Sequence, residues 1–402
     1  MIKRKNKTPL ENKSKKFLIT YGGWYQRTTL HLSEIYDLFA MGKGKKGLAP
    51  SVLEQFHRDL NLKEVTREAG YLEYVKAVTN NDIEIHYYED GLYILQLRAN
   101  EVKKAKSKLS NYYSNIFYPA VNYIFSRGAP IPKILANIKT VHPTVVSVNY
   151  KNHLKYNLDS KKYGYIYSKI SAKRITVFKT PAYIFLSHNA VDSKSISGLV
   201  EMQIFFREFK DQLEKYLDIH RNIWEKISDI KEKKEIKGTD VEKIRSTLDS
   251  YLKTVNLIRN RINQMGSYVQ TRASISRDME IEENLMKLFQ YKFEILTNTL
   301  EYIKEIWQMT FDYLSSAIQI LIEIQDQTMN VNLRSLRLIT ALGVLAGIIG
   351  YLSQDSLPEI TRTGLIFFVV LIASTWIIDQ FITLIYRRAK YRLKFIKEKR
   401  NL

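Results

Sequence analysis

Between the two most apolar runs of the chain stands GIIGYLSQDSLPE, residues 347–359. Asp355 and Glu359 place two carboxylates in a connecting segment of only 11 residues, 353–363. Carboxylates gathered at one surface draw cations toward it. A second set of charges stands at or inside the apolar runs: Arg334 and Arg337 at the start of the first, Asp379 within the second. Ionisable groups at membrane depth are costly and pair with one another. Arg337 lies 13 residues before Gly350, and Asp379 lies 15 residues after Gly364. At a helical rise of 1.5 Å both positions are about 20 Å from the outer ends of their runs, which predicts an Arg337–Asp379 pair.

The loop GKGKKG, residues 42–47, offers Lys43, Lys45 and Lys46 as anion ligands. It is not a Walker loop, which needs Gly-Lys-Ser/Thr where this chain has Gly47-Leu48-Ala49. A solvated loop is the competing reading. Catalytic patterns are missing. The chain has no cysteine, and its seven histidines form neither an H-x-x-x-H nor an H-E-x-x-H pair. No G-x-S-x-G elbow occurs either. The chain therefore reads as a non-enzyme; a membrane-tethered enzyme would need a constellation assembled only in space. Tyr112, Tyr113, Tyr118, Tyr123, Tyr163, Tyr165 and Tyr167 are explained by strand and interface packing, with base stacking in a nucleotide site as the alternative.

The elements that position these groups follow from the hydrophobic pattern. Residues 364–386 form an apolar run of 23, enough for the ~20 residues of a membrane-spanning helix. Residues 336–352 form a shorter run that contains Arg337. The two predict a transmembrane hairpin over 336–386, with a buried soluble hairpin as the alternative. Lys and Arg precede the first run and follow the second, so both termini are expected in the cytoplasm of a cell inner or plasma membrane. Gly343 and Gly347 form a G-x-x-x-G, followed by Gly350, a surface that lets helices approach closely within the hairpin or between copies.

Upstream, residues 194–335 predict a stalk of long helices. One helix is expected to end at Gly238 as C′, and Thr239 with Glu242 forms a capping box for the next. Apolar residues at 3–4 spacing from Leu285 to Ile324 predict a third helix, running from about Asp278 to Leu352. Residues 17–193 predict an α+β cytoplasmic domain with a mixed or antiparallel sheet. Its strongest signal is DIEIHYYEDGLYILQL, residues 82–97, a hairpin turning at Glu89-Asp90-Gly91. Further strands are expected at 144–150, 163–170, 174–179 and 182–187, and helices at 32–40, 49–60 and 101–127.

Charge is concentrated at the ends. Net charge is +21; residues 1–16 hold seven Lys/Arg and one Glu (7 − 1 = +6), and residues 387–402 hold eight and one (8 − 1 = +7). The basic tail, 387–402, is expected to lie on anionic lipid, at about 1 kcal/mol per residue, which accounts for its charge without nucleic acid.

The order of α/β domain, long helices, two apolar runs, acidic loop and basic tail resembles the CorA family of divalent-cation channels. Gly347-Ile-Ile-Gly350 resembles the approach to that family's G-M-N tripeptide, with Tyr351 and Leu352 where Met and Asn would stand. Leu357-Pro358-Glu359 resembles its acidic loop segment. The resemblance implies a homopentamer with an axial pore formed by the first span. Pore or pore-mouth residues would then be Asn330, Arg334, Arg337, Thr340, Val344, Gly347, Gly350, Tyr351 and Leu352. It implies Mg²⁺ as cargo, although Leu352 lacks the amide that holds hydrated Mg²⁺ and a leucine ring makes an apolar constriction instead. Divergent CorA-like proteins also occur beside type III CRISPR systems, as membrane effectors opened by an anionic nucleotide. That branch implies a nucleotide ligand. A membrane-anchored scaffold without conductance is a further alternative.

Overall fold

The structure is a computed structural model. It describes residues 16–25, 32–45, 47–126, 143–189, 191–231 and 235–352, then 362, 366, 369–370, 372–374, 376–378, 380–381 and 390–392. Within these, the side chains of 231–239, 327–332, 334–335, 348, 351–352 and 390–392 are outside the description. The chain divides into two compact units: residues 1–217 with 260–304, and residues 218–259 with 305–402.

The first unit is built on a nine-stranded mixed sheet. In chain order its strands are β1 Phe17–Trp24, β2 Leu62–Ala69, β3 Glu73–Thr79, β4 Glu84–Tyr88, β5 Leu92–Ala99, β6 Thr144–Asn149, β7 Ser168–Ala172, β8 Ile175–Lys179 and β9 Tyr183–His188. Their spatial order is β2-β3-β4-β5-β1-β6-β9-β8-β7. Only the β6–β9 pair within this sheet is parallel. β1, not anticipated as a strand, is central, flanked by β5 and β6. Its glycines explain why the pattern is weak. A Cβ on Gly23 would lie 2.7 Å from Cζ of Tyr93, and one on Gly22 would lie 2.7 Å from the Tyr93 carbonyl and 3.1 Å from Ile204. Side chains there would displace the Tyr93 ring and the helix above.

One face of the sheet carries Ile19, Ile85, Tyr87, Leu95, Leu97, Val146 and Phe185 into the main core. Helices α1 Leu32–Met41, α2 Pro50–Leu60, α3 Val102–Tyr112 and α4 Tyr118–Ser126 contribute Leu38, Phe39, Leu60, Leu109 and Val121 to it, and Phe117 enters from the turn between α3 and α4. The helix expected over 101–127 is thus two helices joined by a π turn, Tyr113–Phe117, which seats Tyr113 against Tyr93 with their hydroxyls 2.9 Å apart. The strand expected over 163–170 begins only at Ser168. Asp159 accepts hydrogen bonds from the amides of Lys161 and Lys162 and starts a helical turn, α5 Ser160–Tyr163.

Long helices follow: α6 Ser193–Lys231, α7 Gly238–Asp278, α8 Glu282–Phe289 and α9 Phe293–Leu352. Gly238 therefore opens α7 instead of closing α6. A strand, β10 Glu235–Lys237, precedes it and pairs with β11 Lys390–Arg392 from the basic tail. The single helix expected from Asp278 to Leu352 is also interrupted. Gln290 adopts a left-handed conformation (φ 60°) and caps α8, its amide donating to the Met286 carbonyl. No glycine or proline marks this break.

In the first unit, the early part of α6 packs on the sheet's second face. Trp24 stacks on Phe209, with ring centroids 5.3 Å apart, and Arg207 donates to the carbonyls of Pro143 and Gly22. In the second unit, helical segments bury one stripe each: Ile219, Ile223 and Ile227; Leu248, Val255 and Ile258; Trp307, Leu314 and Leu321. Among the described residues, no helix is long and apolar enough to cross a membrane. The first expected span, at the end of α9, is only 17 residues (336–352) and contains Arg337; most of the second lies outside the described residues.

Candidate functional site

Two places hold chemistry. The first is the end of α9. Up to Leu321 the helix buries one stripe; beyond it, Leu336, Leu338, Leu342, Val344, Leu345 and Ile349 are all exposed. At 100° per residue these positions spread around the helix instead of forming one stripe. The described residues of the second apolar run repeat this, with Ile366, Val369, Val370, Trp376, Ile377 and Phe381 exposed.

The structure brings Arg337, Thr340 and Val344 together along a recess of about 530 Å³. The Thr340 hydroxyl donates to the Leu336 carbonyl at 2.8 Å, which satisfies it inside its own helix. A Cβ placed on Gly343 or Gly347 would meet no atom of the described residues within 4 Å. Gly350 is on the same helix. Asn330, Arg334, Tyr351 and Leu352 lie on α9 with side chains outside the description. Asp355, Glu359, Asp379 and Lys46 lie outside the described residues. Lys43 is exposed in the 42–47 loop. Lys45 pairs with the buried carboxylate of Glu34, so its charge already has a partner within the chain.

The second place was not anticipated. A cleft of about 970 Å³ opens on the second face of the sheet, beside the start of α6. Pairing puts polar residues next to one another there. Thr20 stands opposite Gln96, Leu18 lies between Arg98 and Ser147, and Asn149 faces His188. The His86 Nε2–H donates to Glu84 Oε1 at 2.8 Å; that bond holds the Glu84 carboxyl below its ordinary range. Lys76 lies 3.7 Å from both Glu68 and Glu84. Burial lowers the pKa of His188. Asp192 accepts from the amides of Lys194 and Ser195, so the first amides of α6 are already occupied.

Thr20 is 1% exposed and Ser147 5%, and neither hydroxyl has a hydrogen-bond partner among the described residues. Without a histidine partner, neither is an activated nucleophile. Among the described residues, no group of three or more His, Cys, Asp or Glu could hold a metal ion. The signal in the sequence was the alternation itself: Lys76, Glu84, His86, Gln96 and Arg98 occupy one face of three successive strands.

No family model matches the chain, and no curated protein matches it. Among solved structures, it is similar to the complete structure of CorA magnesium transporter from Methanocaldococcus jannaschii. The identity is 13% and the TM-score 0.24, with 61% of this chain and 90% of that chain covered.

Proposed function

We propose that the protein is a self-associating membrane channel of CorA-like organisation, with its nine-stranded domain in the cytoplasm and an axial pore formed by the end of α9. One observation carries this reading. The end of α9 is apolar around its circumference and exposed, with Leu338 at 64% and Leu342 at 65%. A helix apolar on all sides is stable only when lipid or other helices cover it. Run 364–386 completes a hairpin, and the basic residues at both ends hold the termini on the cytoplasmic side.

Pentameric assembly would place Thr340, Val344 and Leu352 along the axis. Leucine rings gate by dewetting and select poorly for hydrated Mg²⁺. An Arg337–Asp379 pair would take the Arg337 charge off the pore; an unpaired arginine ring would favour anions.

The experiment is ion flux through liposomes that contain the purified protein. Flux of any ion that is lost on Val344→Trp substitution and raised or shifted toward Mg²⁺ by Leu352→Asn supports a pore. Protein that inserts and passes neither Mg²⁺, K⁺ nor Cl⁻ overturns the reading in favour of a membrane-anchored scaffold.

A further inference from the structure

We propose that the cleft beside the start of α6 binds a small phosphate-bearing anion of nucleotide size. Its phosphates would be held by Lys16, Arg98 and Lys194 and by the hydroxyls of Thr20 and Ser147. The charge balance comes first. Lys16, Lys76, Arg98 and Lys194 line the cleft with one carboxylate, Glu84, giving 4 − 1 = +3. Lys76 is already engaged by Glu68 and Glu84. Lys16, Arg98 and Lys194 have no carboxylate partner among the described residues, and three like charges facing one cavity call for an anion.

The floor is the second observation. Thr20 and Ser147 lie on central strands, where apolar side chains are the rule. Their hydroxyls have no hydrogen-bond partner among the described residues, which leaves them open to a molecule seated in the cleft. Phosphate accepts from hydroxyl and guanidinium donors at once.

Size and lining narrow the class. A cleft of about 970 Å³ is at the upper end of small-molecule sites, roughly 300–1,000 Å³. Among the described residues no Phe, Tyr or Trp lines it, so a base would not be read there by stacking between rings. Tyr113 packs instead on Tyr93 and Tyr163 on Phe185. Selectivity therefore rests on the phosphates.

Calorimetric titration of the full chain in detergent tests this, with pyrophosphate, ATP, adenosine and citrate as probes. Pyrophosphate and ATP are expected to bind, more weakly as salt rises, with adenosine silent and citrate weaker. Arg98→Gln and Lys194→Gln should each weaken pyrophosphate by about tenfold, the loss of one charge-assisted contact. Thr20→Val supplies a second, fold-independent readout: the ligand-free protein should melt higher, while the stabilisation by pyrophosphate shrinks. No binding of pyrophosphate or ATP at millimolar concentration, unchanged affinity in Arg98→Gln, or citrate binding as tightly as pyrophosphate would overturn the assignment. Ion flux is not read in this experiment, so failure here leaves the channel reading standing, and a silent channel leaves the cleft assignment standing.

Discussion

Arg272 reaches from α7 to the turn of the β4–β5 hairpin and grips Asp90 with two parallel hydrogen bonds. Nε donates to Oδ2 at 2.7 Å and Nη2 to Oδ1 at 2.9 Å, with side-chain exposures of only 2% and 4%. Asp90 is fully used: Oδ1 also accepts from the Leu92 amide, and its carbonyl accepts from Trp24 Nε1. The guanidinium lies 5.0 Å from the Tyr88 ring centroid and 5.6 Å from that of Phe205. Burial, the largest single influence, works against its charge, but Asp90, Glu201 and Tyr88 together outweigh it and the pKa is raised.

Breaking this pair leaves a buried charge without its partner. Asp90→Asn or Arg272→Met alone should cost about 3–5 kcal/mol, whereas exposed pairs such as Lys210–Glu214 should cost under about 1 kcal/mol. Urea unfolding followed by tryptophan fluorescence measures both, since Trp24 bonds to Asp90 itself. Equal costs for the two classes would show that the Asp90–Arg272 pair is not held as the geometry describes.

His220 gives stability a pH dependence. Its Nε2 lies 2.8 Å from Thr310 Oγ1, and that hydroxyl donates to the Ile306 carbonyl. The oxygen must therefore accept, so Nε2 carries a proton in the neutral ring. Burial, then Arg221, lowers the pKa of His220 below its ordinary value near 6.5. The unfolded chain then binds a proton that the folded chain refuses. The stabilisation is complete above pH 6.5 and declines as pH falls below it. Melting temperatures at pH 7.5 and 5.5 should differ more in the wild type than in His220→Gln; equal slopes would remove His220 as the source.

Local signals made much of the sheet legible. The β4–β5 hairpin was marked by Glu89-Asp90-Gly91, and β6, β8 and β9 by short β-branched runs. β2 and β3 also alternate, but charged residues on their outer face masked the period. The cleft was not legible for a different reason. Thr20, Glu84, Arg98, Ser147 and His188 are scattered over about 170 residues, and only the order β4-β5-β1-β6-β9 makes them neighbours. Lys45 looked available because Glu34 faces it only once α1 has folded.

The break after α8 was invisible because Gln290 is a helix former in a left-handed position. An L side chain there costs roughly 1–2 kcal/mol, which glycine avoids, less its own entropy penalty of about 0.5–1 kcal/mol. Gln290→Gly should therefore stabilise the protein by up to about 1.5 kcal/mol, and the β-branched Gln290→Val should destabilise it. Denaturant midpoints decide the signs; a loss on Gln290→Gly would mean that the side chain contributes more than the strain removes.

Gly343 and Gly347 separate packing within one chain from packing between copies. A Cβ at either position meets nothing within 4 Å among the described residues. Gly343→Leu and Gly347→Leu should thus leave the unfolding of unit cores unchanged, and leucine is a better helix former than glycine by nearly 1 kcal/mol. Where two α9 helices approach through this surface, the added bulk keeps them apart, since small residues there permit close backbone contact. Light scattering of the detergent-solubilised protein is the measurement. A large wild-type assembly that dissociates in both variants places the glycines at an interface between copies. An assembly unchanged by either leucine puts the contact on another face of α9, with Arg337, Thr340 and Val344 as the next positions to substitute.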